Sequence, residues 1–501
     1  MIAVLAVYSA YSAAQPQAAE SAEYYFLMGR YFEGAGKVDE AVEAFRKAIA
    51  LAPASAEPLA ELAALYARQD KAREALDAAE AALKVDSRNR EANRVLGSVL
   101  AAYAEQHQKA RPGDDPAAYP KRAMAALEIA RGDGHGDLSI DLALARLYLD
   151  QERPSDAIPL LKRIVQEQPQ YIDGSVMLAE ALEATGRWGE AAESWSRVQE
   201  ANRSPEVPAR RASALINAKR PADAQAVLRD ALTRSPNNIR LSFLMAQAQR
   251  DAGDLEGAEA TARAVHAAHP EDARTTYLLG QMLEARDRHQ EVVDLVKPEI
   301  ARLRAANAKG SQVALLLATE GVALLQLKRN DEAVSALKEA VSLTPDDTSV
   351  LFQYGAALDR GGQPVEAEKT FRDVLKRDPL DAGALNYLGY MLAERGTSLD
   401  EAVDLIQRAL KVDPDNPSFL DSLGWAYVQQ GKLDLADPPL TSAAGRLPKN
   451  SVIQDHLGDL RLRQNRRADA IAAWERALAG DGESIDREKL RKKIDAAKKG
   501  K

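Results

Sequence analysis

The sequence predicts an all-α solenoid, built from about thirteen consecutive helix-turn-helix units and closed by a C-terminal helix. Three observations predict it. First, one small residue recurs at Ala41, Ala75, Ala123, Ala157, Ala191, Ala224, Ala258, Val292, Ala333, Ala367, Ala402, Ala436 and Ala470. The spacing is 33 to 35 residues except for steps of 48 and 41, and twelve of the thirteen positions are alanine. A period of this size marks an array of supersecondary units. Second, a small residue precedes each of these, usually by twelve positions: Gly29, Ala63, Gly97, Ala145, Ala179, Ala212, Ala246, Gly280, Gly321, Gly355, Gly389, Gly424 and Gly458. Third, a proline follows twelve residues later in eight units, at Pro53, Pro169, Pro236, Pro270, Pro345, Pro379, Pro414 and Pro448.

Each signal has a physical cause. Two helices joined by a short turn approach closely only where their facing side chains are small. A larger residue at either position forces the pair apart, at about 1–3 kcal/mol per overpacked site. The proline cannot continue a helix, so it ends the second helix and resets the chain. The turns agree: GAGKVDEA, ATGRWGEA, DAGDLEGA and QQGKLDLA place glycine just before an acidic first turn, which suits a helix N-terminus.

Taken in order, residues 1–14 begin MIAVLAVY and continue to Ser12-Ala13-Ala14. A short apolar run followed by small residues reads as a secretory signal peptide, although no Lys or Arg occurs before Arg30. The alternative is that these residues merely lead into the first helix. Repeats one to eight occupy residues 22–306. Repeat three carries an insertion at about 106–119, QHQKARPGDDPAAY, which is a loop or a lengthened first helix followed by a loop. Repeat eight departs most: Val292 replaces the alanine, Glu299 takes the next small position, and no proline closes the unit. Its second helix is expected to run to about Ala306. Residues 307–311, NAKGS, then form a seam before repeats nine to thirteen at 312–484. Pro159, Pro298 and Pro438-Pro439 fall within second helices, where a kink or a late helix start is expected. Residues 485–501 place Ile485, Leu490 and Ile494 among charges, which suits a capping helix with a basic tail.

Composition narrows the function. The chain has 501 residues, 28% charged, 46% hydrophobic and only 5% aromatic, with a formal net charge of −9 and no cysteine. That argues for a folded, water-exposed chain and against general nucleic-acid affinity. No apolar run reaches the ~18 residues of a membrane span. The lack of cysteine removes disulfides, thiol catalysis and cysteine-ligated metal or iron–sulfur centres.

The repeat resembles the tetratricopeptide repeat family, whose pattern runs bulky-x-x-L-G-x-x-Y, then A-x-x-x-F-x-x-A, then P. Repeat one carries Tyr25, Met28, Gly29, Phe32, Ala41, Phe45, Ala48 and Pro53. Repeat twelve carries Leu420, Leu423, Gly424, Tyr427, Ala436, Leu440, Ala443 and Pro448. The last three units, with one extra residue between Gly389 and Ala402, are similar to a block common in exported bacterial members. The resemblance implies a right-handed superhelix whose concave groove holds an extended or helical peptide.

If positions 4, 7, 8 and 11 of each first helix are buried, positions 2, 5, 9 and 12 form the opposite stripe. The resemblance makes that stripe the groove lining. It is read as Phe26 and Arg30 in repeat one, Phe243 in repeat seven and Tyr277 in repeat eight. Repeats nine and ten add Val322, Leu325 and Phe352, and repeats eleven to thirteen add Asn386, Tyr390, Asp421, Trp425, Asp455 and Asp459. Exposed aromatics are typical interface anchors; the alternative for Tyr390 and Trp425 is packing against a neighbouring repeat. Members that clamp a carboxylate use Lys, Arg and Asn on this stripe. Three aspartates here point instead to a neutral or basic segment.

Chemistry is sparse. His107, His135, His266, His269, His289 and His456 are the histidines, and only His266 and His269 have ligand-like spacing, without a carboxylate four residues away. No phosphate loop, dinucleotide fingerprint or nucleophile elbow occurs. The expectation is a non-enzyme without metal or cofactor, a protein-interaction scaffold in the periplasm or secreted. The alternatives are a cytoplasmic adaptor and, in another class, an enzyme using His266/His269 or the repeat-three loop.

Overall fold

The computed structural model describes residues 21–106, 113–132, 137–201, 204–481 and 485–499. The expected signal segment 1–14, residues 107–112 of the insertion, His107 and His135 lie outside these described residues. Among the described residues the chain forms twenty-seven α-helices and no strand. They fall into thirteen pairs, one per unit, followed by the single helix Arg487–Lys498. The all-α solenoid expected from the period is therefore the fold. It divides into two compact units, one ending at Gly253 and one starting at Asp254.

All thirteen recurring positions, Ala41 through Ala470 and including Val292, are 0% exposed. Each lies near the start of a second helix, as Ala41 does in Val38–Leu51 and Ala402 in Leu399–Val412. Most of the preceding glycines are notches for the residue four places beyond the alanine; Gly280 instead faces Thr319 and Val292. A Cβ on Gly29 would lie 2.6 Å from the Phe45 ring, one on Gly97 2.5 Å from Leu127, and one on Gly321 2.5 Å from Leu337. Gly424 and Gly458 are filled in the same way by Leu440 and Trp474. Where alanine replaces the glycine, two units reduce the opposing residue as well: Ala63 goes with Ala79 and Ala246 with Ala262. Such pairing relieves the crowding that a Cβ in the notch would otherwise cause.

The turn inside most units has a fixed backbone. Gly36, Asp70, Glu152, Gly186, Lys219, Asp287, Lys328, Gly362, Gly431 and Asn465 all have positive φ, five residues before the repeated position. In repeat one the Gly36 N–H donates to Glu33 O at 2.9 Å and the Lys37 N–H to Phe32 O at 2.8 Å. This is a helix C-terminus closed by one left-handed residue, where glycine costs least. The extra residue of repeat eleven is absorbed by a second left-handed position: Gly396 at φ 64° is followed by Ser398 at 47°. Second helices end two residues before the closing proline, as at Leu343 before Pro345 and Val412 before Pro414. Asn or Asp then caps many of the first helices; Asp381 accepts from Ala384 N–H and Asn450 from Ile453 N–H.

The departures are instructive. Repeat three lengthens its first helix to Arg90–Glu105, and a short 3-10 turn, Pro116–Ala118, leads into the second. Repeat eight's second helix runs His289–Ala305, Asn307 turns with φ 50°, and the next helix starts at Gly310. The interior prolines do not delay helix starts. Pro154–Glu167, His289–Ala305 and Leu433–Arg446 contain Pro159, Pro298 and Pro438-Pro439, yet begin three residues before the repeated position like their neighbours. The packed helix face overrides the local penalty. Arginines tie successive units together: Arg408 donates to Pro379 O at 3.0 Å and Arg302 to Glu271 O at 2.8 Å.

Candidate protein-interaction surface

In the first unit, Phe26 is half-buried with its ring centroid 6.0 Å from that of Phe45. Exposed Arg30 bridges to Glu61 at 2.7 Å. Phe243 is half-buried on helix Ile239–Asp251.

In the second unit, half-buried Tyr277 accepts a hydrogen bond from Gln281 Nε2 at 2.5 Å. Val322 is half-buried and Leu325 buried. Phe352 meets Phe371 and Tyr387 edge-on, at 5.4 and 5.9 Å. Tyr387 stacks on Phe371 at 4.6 Å and donates to Asp359 at 3.1 Å; burial, then the Asp359 carboxylate, raises its hydroxyl pKa.

Repeats eleven to thirteen bring Asn386, Tyr390, Asp421, Trp425, Asp455 and Asp459 onto three successive first helices, Ala382–Glu394, Pro417–Gln429 and Ser451–Arg463. The stripe is not uniformly exposed, which corrects the expectation from one helix alone. Trp425 is 8% exposed and Asp421 is buried. The first helix of the next unit covers them: the His456 ring stacks on Trp425 at 4.2 Å and 11°, and its Nδ1 is 3.0 Å from Asp421. Burial alone would lower the His456 pKa, but the facing Asp421, with Glu394 and Asp455 behind it, raises it above the usual value. Half-buried Tyr390 has its ring 6.2 Å from His456; burial and then Glu394 raise its hydroxyl pKa. Asn386 Oδ1 and Trp425 Nε1 are buried with no hydrogen-bond partner among the described residues. Unmet buried groups of this kind cost about 1–3 kcal/mol each.

The last two aspartates have internal partners. Lys493, on the C-terminal helix, reaches Asp455 at 2.7 Å and Asp459 at 2.7 Å. Asp459 also accepts from Trp474 Nε1 at 3.1 Å. Sequence reasoning missed His456 and Lys493 as members of this cluster. A signal for the first was weak: His456 lies 35 residues after Asp421, one position past the matching place, which Asp455 occupies. Lys493 stands among other basic residues, and nothing in the sequence singles it out.

The histidines of ligand-like spacing lie at a helix end, with His266 Nδ1 3.3 Å from Thr275 Oγ1 and His269 as the C-cap. Among the described residues no group of three or more His, Cys, Asp or Glu is placed to hold a metal ion, and no helix is long and apolar enough to cross a membrane.

Profiles of the tetratricopeptide repeat family match residues 22–55, 148–212, 215–295, 316–347, 355–417 and 397–450, together more than half of the chain. A TPR repeat-containing protein of Pseudomonas aeruginosa is 38% identical over 140 residues, 28% of this chain and 24% of that protein. The cellulose synthase operon protein C of Xanthomonas axonopodis is 30% identical over 246 residues, 45% of this chain and 16% of that protein. The matched stretch is thus a quarter or less of either relative's length. Among solved structures, the APC/C Cut9–Hcn1 hetero-tetramer aligns with 98% of both chains at 14% identity and a TM-score of 0.47. Yeast Tom70 aligns with 96% of both at 15% identity and 0.39. With thirteen helix pairs in phase and these profile matches, the chain belongs to the tetratricopeptide repeat family, whose solenoid is a scaffold for protein–protein interaction.

Proposed function

We propose that this chain is a non-catalytic scaffold of the bacterial cell envelope that holds an extended or helical segment of a partner protein along the first helices of its repeats. The candidate contacts are Phe26, Arg30 and Phe243 in the first unit. In the second they are Tyr277, Phe352, Asn386, Tyr390, Asp455 and Asp459, with Trp425 and Asp421 buried behind them. One observation carries the reading: Asn386 and Tyr390 lie together on one helix, both half-buried, with the Tyr390 ring beside the Trp425–His456 stack. A partner's apolar side chain would cover the half-buried Tyr390 ring. Aspartates rather than lysines on the stripe favour a neutral or basic segment. The signal-like first residues and the likeness to a protein of a bacterial cellulose synthase operon support an envelope location.

The test is capture of partners from an envelope extract by the wild-type chain and by an Asn386→Ala/Tyr390→Ala variant, identified by mass spectrometry. We expect one or more proteins to be lost with the variant while its helical circular dichroism is unchanged. Identical capture by both forms refutes this surface. A cytoplasmic adaptor is the second reading; an uncleaved N-terminus in the producing cell, with the chain in the cytosolic fraction, would favour it.

A further inference from the structure

The acidic end of the candidate groove already holds a cation. Lys493 Nζ lies 2.7 Å from Asp455 Oδ1, and 2.7 and 2.9 Å from the two oxygens of Asp459. Its ammonium is also 5.7 Å from the centroid of the Trp474 ring. The side chain is 23% exposed, so this is a seated cation, not a loose surface ion pair. Burial alone would lower the pKa of Lys493, but Asp459 and Asp455 outweigh that and keep it charged.

The helix that delivers Lys493 has a small buried face. Arg487–Lys498 buries Leu490, Ile494 and Ala497 in a small cluster with Ala470, Trp474 and Ala477, separate from the larger core of repeats ten to thirteen. Terminal elements with few buried apolar contacts open at far lower free energy than the body of a fold. His456 differs, since it is locked by a ring stack inside two packed units.

We propose that the C-terminal helix is an internal competitor for the acidic end of the groove, with Lys493 in the place that a lysine or arginine of the bound partner would take. This rests on the groove reading above. A basic segment engages Asp455 and Asp459 only when Lys493 leaves, so apparent affinity is reduced by the fraction of molecules in which it is seated. The partner class follows: a segment with a cationic side chain that can match the existing pair of carboxylate contacts.

Lys493→Met keeps the apolar stem and removes the charge, and Lys493→Arg restores a cation. The probe is a labelled Gly/Ser peptide carrying spaced lysines, titrated by fluorescence anisotropy at low salt. We expect Lys493→Met to bind it roughly fivefold more tightly than wild type, and Lys493→Arg to bind like wild type. Asp455→Asn/Asp459→Asn in the Lys493→Met background abolishes the gain. Equal affinity in wild type and Lys493→Met, with hydrogen exchange showing residues 487–498 helical in both, overturns the competition. So does failure of every form to bind the probe. Partner capture lost on Asn386→Ala/Tyr390→Ala would leave the groove reading standing in either case, so the two failures are separable.

Discussion

Replacing Gly389 with alanine adds one methyl group to the inter-helix notch of repeat eleven. Its carbon would lie 2.6 Å from Ile406 Cγ1 and 3.0 Å from the Ala402 carbonyl oxygen. The first neighbour is a stiff β-branched side chain and the second is backbone, so neither yields cheaply. Overpacking costs about 1–3 kcal/mol, and the backbone contact puts this site in the upper part of that range. Removing a mid-helix glycine returns about 0.5–1 kcal/mol. The net is a local loss of about 1–2 kcal/mol. In a repeat array such a loss is felt by one unit and its neighbours, so a single melting temperature is a poor readout. Hydrogen exchange followed by mass spectrometry is the suitable assay. Amides of Ala382–Glu394 and Leu399–Val412 are expected to exchange roughly 5–30-fold faster, with repeats one to six unchanged. Two controls sharpen the test. Gly280→Ala meets only Thr319 Cγ2 at 3.1 Å and Val292 at 3.7 Å, so it is expected to be near neutral. Gly389→Ala with Ile406→Ala recreates the Ala63/Ala79 and Ala246/Ala262 pairing, and its loss is expected to be smaller than the sum of the single losses. Unchanged exchange in Gly389→Ala would refute the notch argument.

Three further outcomes are expected. Lys328 holds φ 59° in a turn where other units use glycine; Lys328→Gly is expected to stabilise repeat nine by roughly 0.5–1 kcal/mol, read as slower exchange there, and faster exchange would contradict it. Deleting residues 484–501 uncovers Trp474 and Ala477 and is expected to lower solubility and speed exchange in Arg467–Ala479; an equally soluble truncation would count against the capping role. The raised His456 pKa adds stability that is fully present below the unfolded value of 6.5 and is lost as pH rises through the folded one. Protection of repeats twelve and thirteen should therefore fall as pH climbs above about 6.5, and Asp421→Asn should flatten that dependence; a flat wild-type profile would refute it.

Much of the architecture was legible because its cause is local. Ala402 and Gly389 oppose each other within one hairpin, so their smallness and spacing can be read from a single unit. The turns were legible wherever glycine marked them. They were opaque at Glu152, Lys219 and Lys328, where close packing on both sides holds an ordinary residue in the left-handed region. Pro159 and Pro438 bring no late helix start, since the packed face keeps the helix going. The candidate surface was less legible. A helical wheel places Trp425 and Asp421 on a stripe facing away from their own hairpin, and cannot show that the following unit lays His456 across them. Lys493 was harder still, because a lysine in a basic run gives no sign of the two carboxylates that select it.

The notch and the side chain that fills it have one more consequence. Gly29 and Phe45, Gly321 and Leu337, Gly355 and Phe371 are each encoded within a single stretch shorter than one period. Such a segment carries both halves of its own lock. A copy inserted in tandem arrives already matched to itself and needs compatibility only where it abuts the units on either side. Lengthening or shortening the array by whole modules is thus far gentler than altering either member of one pair, and gene duplication can tune reach without redesigning the interior.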